Sequence, residues 1–124
     1  ARAGEVLGVE YHVWDFPDGR LQPTLEVRER IIREIRQYQP DLVLTHRTSD
    51  YHPDHRAVGQ VVQDASYLVT VPLVVSDVPF LRRDPVVAYL PDLFTKPAPL
   101  DPHVVIDIEP CIDGIILQFA IIKR

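Results

Sequence analysis

The chain has 124 residues, an apolar fraction of 46% and a formal charge of -5 at pH 7. That content suits one modest domain with its own core, here a single domain over 1–124, and an acidic balance spread along the chain excludes the basic footprint of a nucleic-acid binder. One cysteine, Cys111, excludes an internal disulfide and any four-cysteine metal cluster; no apolar run approaches the roughly 18–20 residues of a membrane span, and no signal-peptide pattern opens the chain, so a cytoplasmic location is expected.

ARAGEVLGV reads as the last turn of a helix stopped by Gly8, and VEYHVWDF (9–16), rich in aromatic and branched side chains, reads as a strand. PDG at 17–19 signals a turn. Thr24 is placed to cap a helix over LEVRERIIREIRQYQ, with Val27, Ile31, Ile35 and Tyr38 as its apolar stripe, and Pro40 ends it. DLVLTH then has the compact apolar core of a buried parallel strand. A second helix starts near Pro53, with Val58, Val61, Val62 and Ala65 inward. VPLVVSDVPFLRRDP reads as a long loop with one short helix near 78–82. PVVAYL (85–90) and HVVIDI (103–108) read as strands, and the terminal IILQFAII as a strand or helix closing the core. Strand, helix, strand is the rhythm of an α/β fold with a mostly parallel sheet.

The chemistry concentrates in THRTSDYHPDH, at the carboxyl end of the DLVL strand, where ligands gather in α/β folds. With Pro53 as the first helical residue, His52 is the cap and His55 stands in the first turn, so the two can face a common point. Neutral imidazole ligates zinc through one nitrogen while the other needs an acceptor, and Asp50 or Asp54 can supply it. Two histidines fall short of a three-ligand catalytic zinc site, and the HExxH spacing is absent. Spacing alone therefore leaves metal ligation, acid–base work without metal, and plain helix capping all open.

HPDH after a strand ending in TH, together with LGV (7–9), WDFPDGRL (14–21), QPDLVLTHRTSDYHPDHRAVGQVVQDA (39–65) and VVIDI (104–108), strongly resembles the zinc-dependent N-acetylglucosaminyl deacetylases of the LmbE-like or PIG-L family. The resemblance implies a Rossmann-like three-layer fold with zinc near the carboxyl ends of the strands. It assigns zinc binding to His55. His52 becomes the imidazole that assists the carbonyl oxygen or the leaving group, and Asp54 is placed beside it in the catalytic group. Asp50 becomes an orienting residue outside the metal's own ligands, with His46 near the same place. Asp18 and Arg20, beside Gly19, could line the substrate pocket, although a solvated turn is the plainer reading. The implied substrate is an N-acetylated sugar conjugate.

The family draws its other zinc ligands and its general base from an HPDD-type motif after the first strand, and no such motif occurs here. The chain reads as an amino-terminally shortened member, a partial LmbE-like domain. The alternative to catalysis is a noncatalytic fragment or subunit acting through self-association, as a homo-oligomer, or through partner binding. A metal-free histidine hydrolase is poorer, because no serine or cysteine sits in a nucleophile elbow. Arg82 and Arg83 could meet an acidic group; Trp14 could stack on a sugar or pack in a core; His12 and His103 read as structural; Cys111 lacks a nearby histidine.

Overall fold

The computed structural model describes residues 2–114. In chain order they form α1 (Arg2–Leu7), α2 (Leu25–Tyr38), β1 (Leu42–Thr45), α3 (Pro53–Leu68), β2 (Val86–Tyr89) and a 3-10 turn at Glu109–Cys111. Residues 16–101 form one compact unit, and the described residues on either side of it belong to a second.

In the flanking unit, Gly8 takes a left-handed φ of 65°, which lets Val9 N donate back to Gly4 O and ends α1 where the sequence predicts.

In the main unit, Thr24 caps α2 by accepting from Val27 N at 3.3 Å. Gln39 closes the helix in a left-handed conformation, its N–H donating to Ile35 O, and Pro40 follows. The buried stripe of α2 is Val27, Ile32, Ile35 and Arg36. Tyr38, predicted inward, is exposed, and Ile31 is half-buried. On α3 the predicted Val61, Val62 and Ala65 are buried, joined by Ala57 and Gly59. β1 and β2 pair in parallel with Leu42 opposite Val86 and Thr45 opposite Tyr89, and α3 is the crossover between them. Ile32 and Ile35 meet Ala65 and Val69 in the core, with Val43 of β1 packed against them. Both helices thus cover the Val43 face of the sheet. Leu42, Leu44 and Val86, on the alternate face, are exposed.

A charged residue organises the loop that follows α3. Arg36 is 1% exposed and donates to six carbonyl oxygens, those of Leu68, Val69, Val71, Val74, Val75 and Val78, at 2.7–3.1 Å. The carboxyl end of α3 has no basic residue of its own, so this guanidinium from α2 answers its orphan carbonyls and its negative dipole end. Burial pulls the Arg36 pKa down from its ordinary value, with Asp77 opposing. Val75 accepts a left-handed φ of 50°, costly for a branched side chain, while its carbonyl meets that cation.

Three predicted elements do not form. The helix near 78–82 is absent: the stretch after α3 is turns and irregular backbone, in which the Val74, Val75 and Val78 carbonyls accept from Arg36 and single bonds such as Val78 N to Val75 O take the place of a helical ladder. Residues 9–16 and 103–108 have the composition of strands but no ladder partner among the described residues, and Val104, Val105 and Ile106 are exposed. Branched and aromatic content permits a strand; pairing and burial make one. The IILQFAII segment lies outside the described residues. Among the described residues no helix is long and apolar enough to cross a membrane.

Candidate functional site

β1 delivers the chain to its carboxyl end at Thr45, and the next seven residues turn it into α3. His52 is the N-cap: its backbone is extended, at φ -89° and ψ 133°, and its Nδ1 accepts from Asp54 N at 3.2 Å, with Pro53 opening the helix. That bond requires an unprotonated Nδ1 and so places the ring proton on Nε2. Asp18 Oδ1 lies 3.7 Å from this Nε2, beyond a hydrogen bond.

Asp50 is the buried centre of the loop, 2% exposed. Its Oδ1 accepts from His52 N at 2.9 Å and pairs with His55 Nδ1 at 3.0 Å, while Oδ2 lies 3.8 Å from His46 Nδ1. Arg56 ties the same loop down through Asp50 O and Tyr51 O. Burial pushes the Asp50 pKa up, but the His52 N–H and the neighbouring histidines outweigh it and hold the carboxyl below its ordinary value. A depressed folded pKa contributes stability above the unfolded value and loses it as pH falls through the folded one. Below about pH 4, stability is therefore expected to fall more steeply with acid in the wild type than in Asp50→Asn, as urea denaturation at a series of pH values would show.

His46 and His55 stack with ring centroids 3.9 Å apart and planes 6° from parallel. Burial, then the neighbouring His55, lowers the His46 pKa, with Asp50 and Asp92 opposing, which favours the neutral ligand form. With Nδ1 of His55 bonded to Asp50, its Nε2 is left for a ligand. His46, Asp50 and His55 offer ligand atoms within 4.8 Å of one another, and so do Asp18, His52 and Asp54. Each cluster could hold a metal ion. Tetrahedral ligands about 2.1 Å from zinc stand about 3.4 Å apart, a spacing that the 4.8 Å bound accommodates. The donor types of the imidazole cluster, two imidazoles and a carboxylate, fit zinc.

The second cluster is more committed. Asp54 accepts from Gly19 N at 2.8 Å and Leu21 N at 3.0 Å, so both of its oxygens hold the PDG turn against the start of α3. Gly19, at φ 74°, gives that turn its shape, with Arg20 N donating to Pro17 O. Asp18 and Arg20 ride on this turn and are exposed. Arg83 pairs with Asp41 near the amino ends of the strands, away from the histidines.

A cavity of about 590 Å³ opens beside the imidazole cluster, lined by His46, Asp50, Tyr51 and His55 and by the Leu90–Phe94 segment after β2. The sequence pattern points to the first wall and not to the second, whose residues lie some forty positions later with no local signature.

The fold is shared with known proteins. A conserved protein of Thermus thermophilus superposes with a TM-score of 0.75 at 24% identity, over 94% of this chain and 51% of its own. The N,N'-diacetylchitobiose deacetylase of Pyrococcus horikoshii, solved with its inhibitor MPG, superposes at 0.73 and 22% identity, over 98% of this chain and 45% of its own. The chain thus spans about half the length of these structures, and the likeness establishes an α/β fold of the Rossmann-like kind. The family model for GlcNAc-PI de-N-acetylase (PIG-L) matches residues 1–66, which carry α2, β1, the Asp50 loop and most of α3. That stretch exceeds half of the sequence, and the chain belongs to the PIG-L family.

Proposed function

We propose that this chain carries part of the zinc site and pocket of a deacetylase that hydrolyses the N-acetyl amide of an N-acetylglucosamine-type sugar conjugate. The observation that supports it most is the pairing of His55 Nδ1 with the buried Asp50, which leaves Nε2 for a metal at the carboxyl end of β1. In this reading His55 binds zinc, Asp50 orients it from behind, and His46 stands stacked alongside as a further donor. Bound zinc would lower the pKa of water and polarise the acetyl carbonyl.

His52 acts from the cap of α3. Because its Nδ1 is an acceptor, Nε2–H is the group it offers, and a neutral N–H suits an oxyanion forming on the carbonyl better than it suits proton delivery to the departing amine. Asp54 serves catalysis by fixing the PDG turn beside His52, and through it the positions of Asp18 and Arg20 where substrate would enter. The sequence has no HPDD-type motif to supply a base, so turnover needs a proton acceptor from outside these residues.

Elemental mass spectrometry of the purified chain tests this reading. Zinc near one per chain is expected in the wild type, retained in His52→Ala and lost in His55→Ala. Asp50→Asn should weaken zinc binding about 10–100-fold, measurable by competition with a chelator. Little zinc in the wild type, or equal zinc after His55 is replaced, would remove the proposal. The second reading, association of copies or partners, has the exposed Leu42, Leu44 and Val86 face in its favour. Concentration-dependent dimerisation in sedimentation velocity would support it.

A further inference from the structure

The Leu90–Phe94 wall of the cavity has no regular structure, and Leu90, Leu93 and Phe94 are exposed, with Leu93 at 98%. Apolar burial therefore does not hold it in place. Leu90 N donates to Thr45 O at 2.8 Å and so fixes its first residue, and the residues after it are held by a guanidinium reaching across from the loop after β1. Arg47 Nη1 pairs with Asp92 Oδ2 at 2.9 Å and also donates to Phe94 O at 3.3 Å, while Nη2 donates to Ala98 O. Asp92 Oδ1 accepts from Phe94 N, closing the turn from within. The side chains of Arg47 and Asp92 are 11% and 4% exposed, so water replaces neither partner cheaply. A planar fork spreads five donors over three nitrogens and so reaches three separated points of one segment, while an ammonium gathers its three donors on one nitrogen.

The consequence concerns the pocket. One wall is imidazole, carboxylate and phenol, from His46, Asp50, His55 and Tyr51; the other is Leu90, Pro91, Leu93 and Phe94 with Asp92 among them, whose two carboxylate oxygens are taken up by Arg47 and Phe94 N, so that wall offers mainly apolar surface. The cavity, at about 590 Å³, is larger than an acetamido group needs and falls in the range of sites that take a whole ligand. Building on the deacetylase reading, we infer that Arg47 is a positioning residue: it sets residues 90–94 as the wall that selects an apolar substituent on a ligand whose polar end meets the histidines. Without the clamp, the described tie of this segment to β1 is the bond at Leu90 alone, and residues 92–94 are left to move.

The test measures binding of three probes to the full chain with zinc present, by calorimetry below their micelle concentrations: octyl N-acetylglucosaminide, methyl N-acetylglucosaminide and octyl glucoside. Wild type should prefer the octyl over the methyl N-acetylglucosaminide by about tenfold or more, the ratio expected from burying two methylenes. Arg47→Met should bring that ratio close to one while zinc per chain stays unchanged, and Arg47→Lys, which keeps a charge beside Asp92 but cannot span Phe94 and Ala98, should restore only part of it. An octyl preference absent from wild type, or undiminished in Arg47→Met, overturns the inference. Should Arg47→Met fail to fold, Arg47→Lys with a full octyl preference overturns it equally. Octyl glucoside binding as tightly as octyl N-acetylglucosaminide would instead count against the N-acetyl reading alone.

Discussion

Replacing Arg36 by methionine is expected to destabilise the 16–101 unit by about 4 kcal/mol, at the upper end for a single substitution. Methionine keeps most of the buried volume, so a cavity is not the cause. The loss comes from carbonyls at the end of α3 and in the following loop, six of which converge on one guanidinium. Hydrogen bonds to a charged donor are worth about 1.5–3 kcal/mol each, but they share one side chain, and part of the loop can turn to water when released, so the sum is not reached. Val75 adds to the effect, since its positive φ is costly and its carbonyl would lose the shorter of its two bonds, the one from Arg36, keeping that from Val78 N. Arg36→Lys should recover a minor part, having three donors for six acceptors. Urea denaturation measures both variants; a loss below about 1 kcal/mol for Arg36→Met, inside the range of ordinary surface changes, would show that the loop stands without its cation.

Local rules made the helices and the head of the site legible. Thr24 as cap, Pro40 as terminator and Pro53 in the first helical turn all act within a few residues of themselves, and each is found where the sequence places it. His52 as cap and His55 on the first turn follow from the same short-range logic, and Asp50 as acceptor for His55 is only five residues away. What stayed hidden depends on partners far along the chain. Arg36 reads as one more charge on a polar helix face because its acceptors come 32 to 42 residues later. Arg47 and Asp92 are separated by 45 positions, and neither has a neighbour that announces a pair. The stretches 9–16 and 103–108 fail for the complementary reason: their composition suits strands, and composition does not supply a ladder partner.

Gly59→Ala joins the stability of the fold to the geometry of the site. In most exposed helix interiors this change would gain up to about 1 kcal/mol from helix propensity. Here a β-carbon would sit 2.6 Å from His46 O and 3.1 Å from Arg47 C and O. All three are backbone atoms, so no flexible side-chain tip can swing aside. Overpacking of this kind costs about 1–3 kcal/mol, which outweighs the propensity gain and leaves a net loss of about 1–2 kcal/mol. The relief available is for α3 and the loop after β1 to separate. His55 rides on α3 and His46 on that loop, so the separation opens the stacked imidazoles, whose centroids now stand 3.9 Å apart, and draws their nitrogens away from a common metal. Zinc affinity should therefore fall by more than the stability change accounts for, at least tenfold by chelator competition on protein that remains folded. Matched losses in stability and affinity would mean that the helix and loop yield together without parting, and a stabilised Gly59→Ala chain with full zinc binding would mean that the close approach is not what positions the histidines.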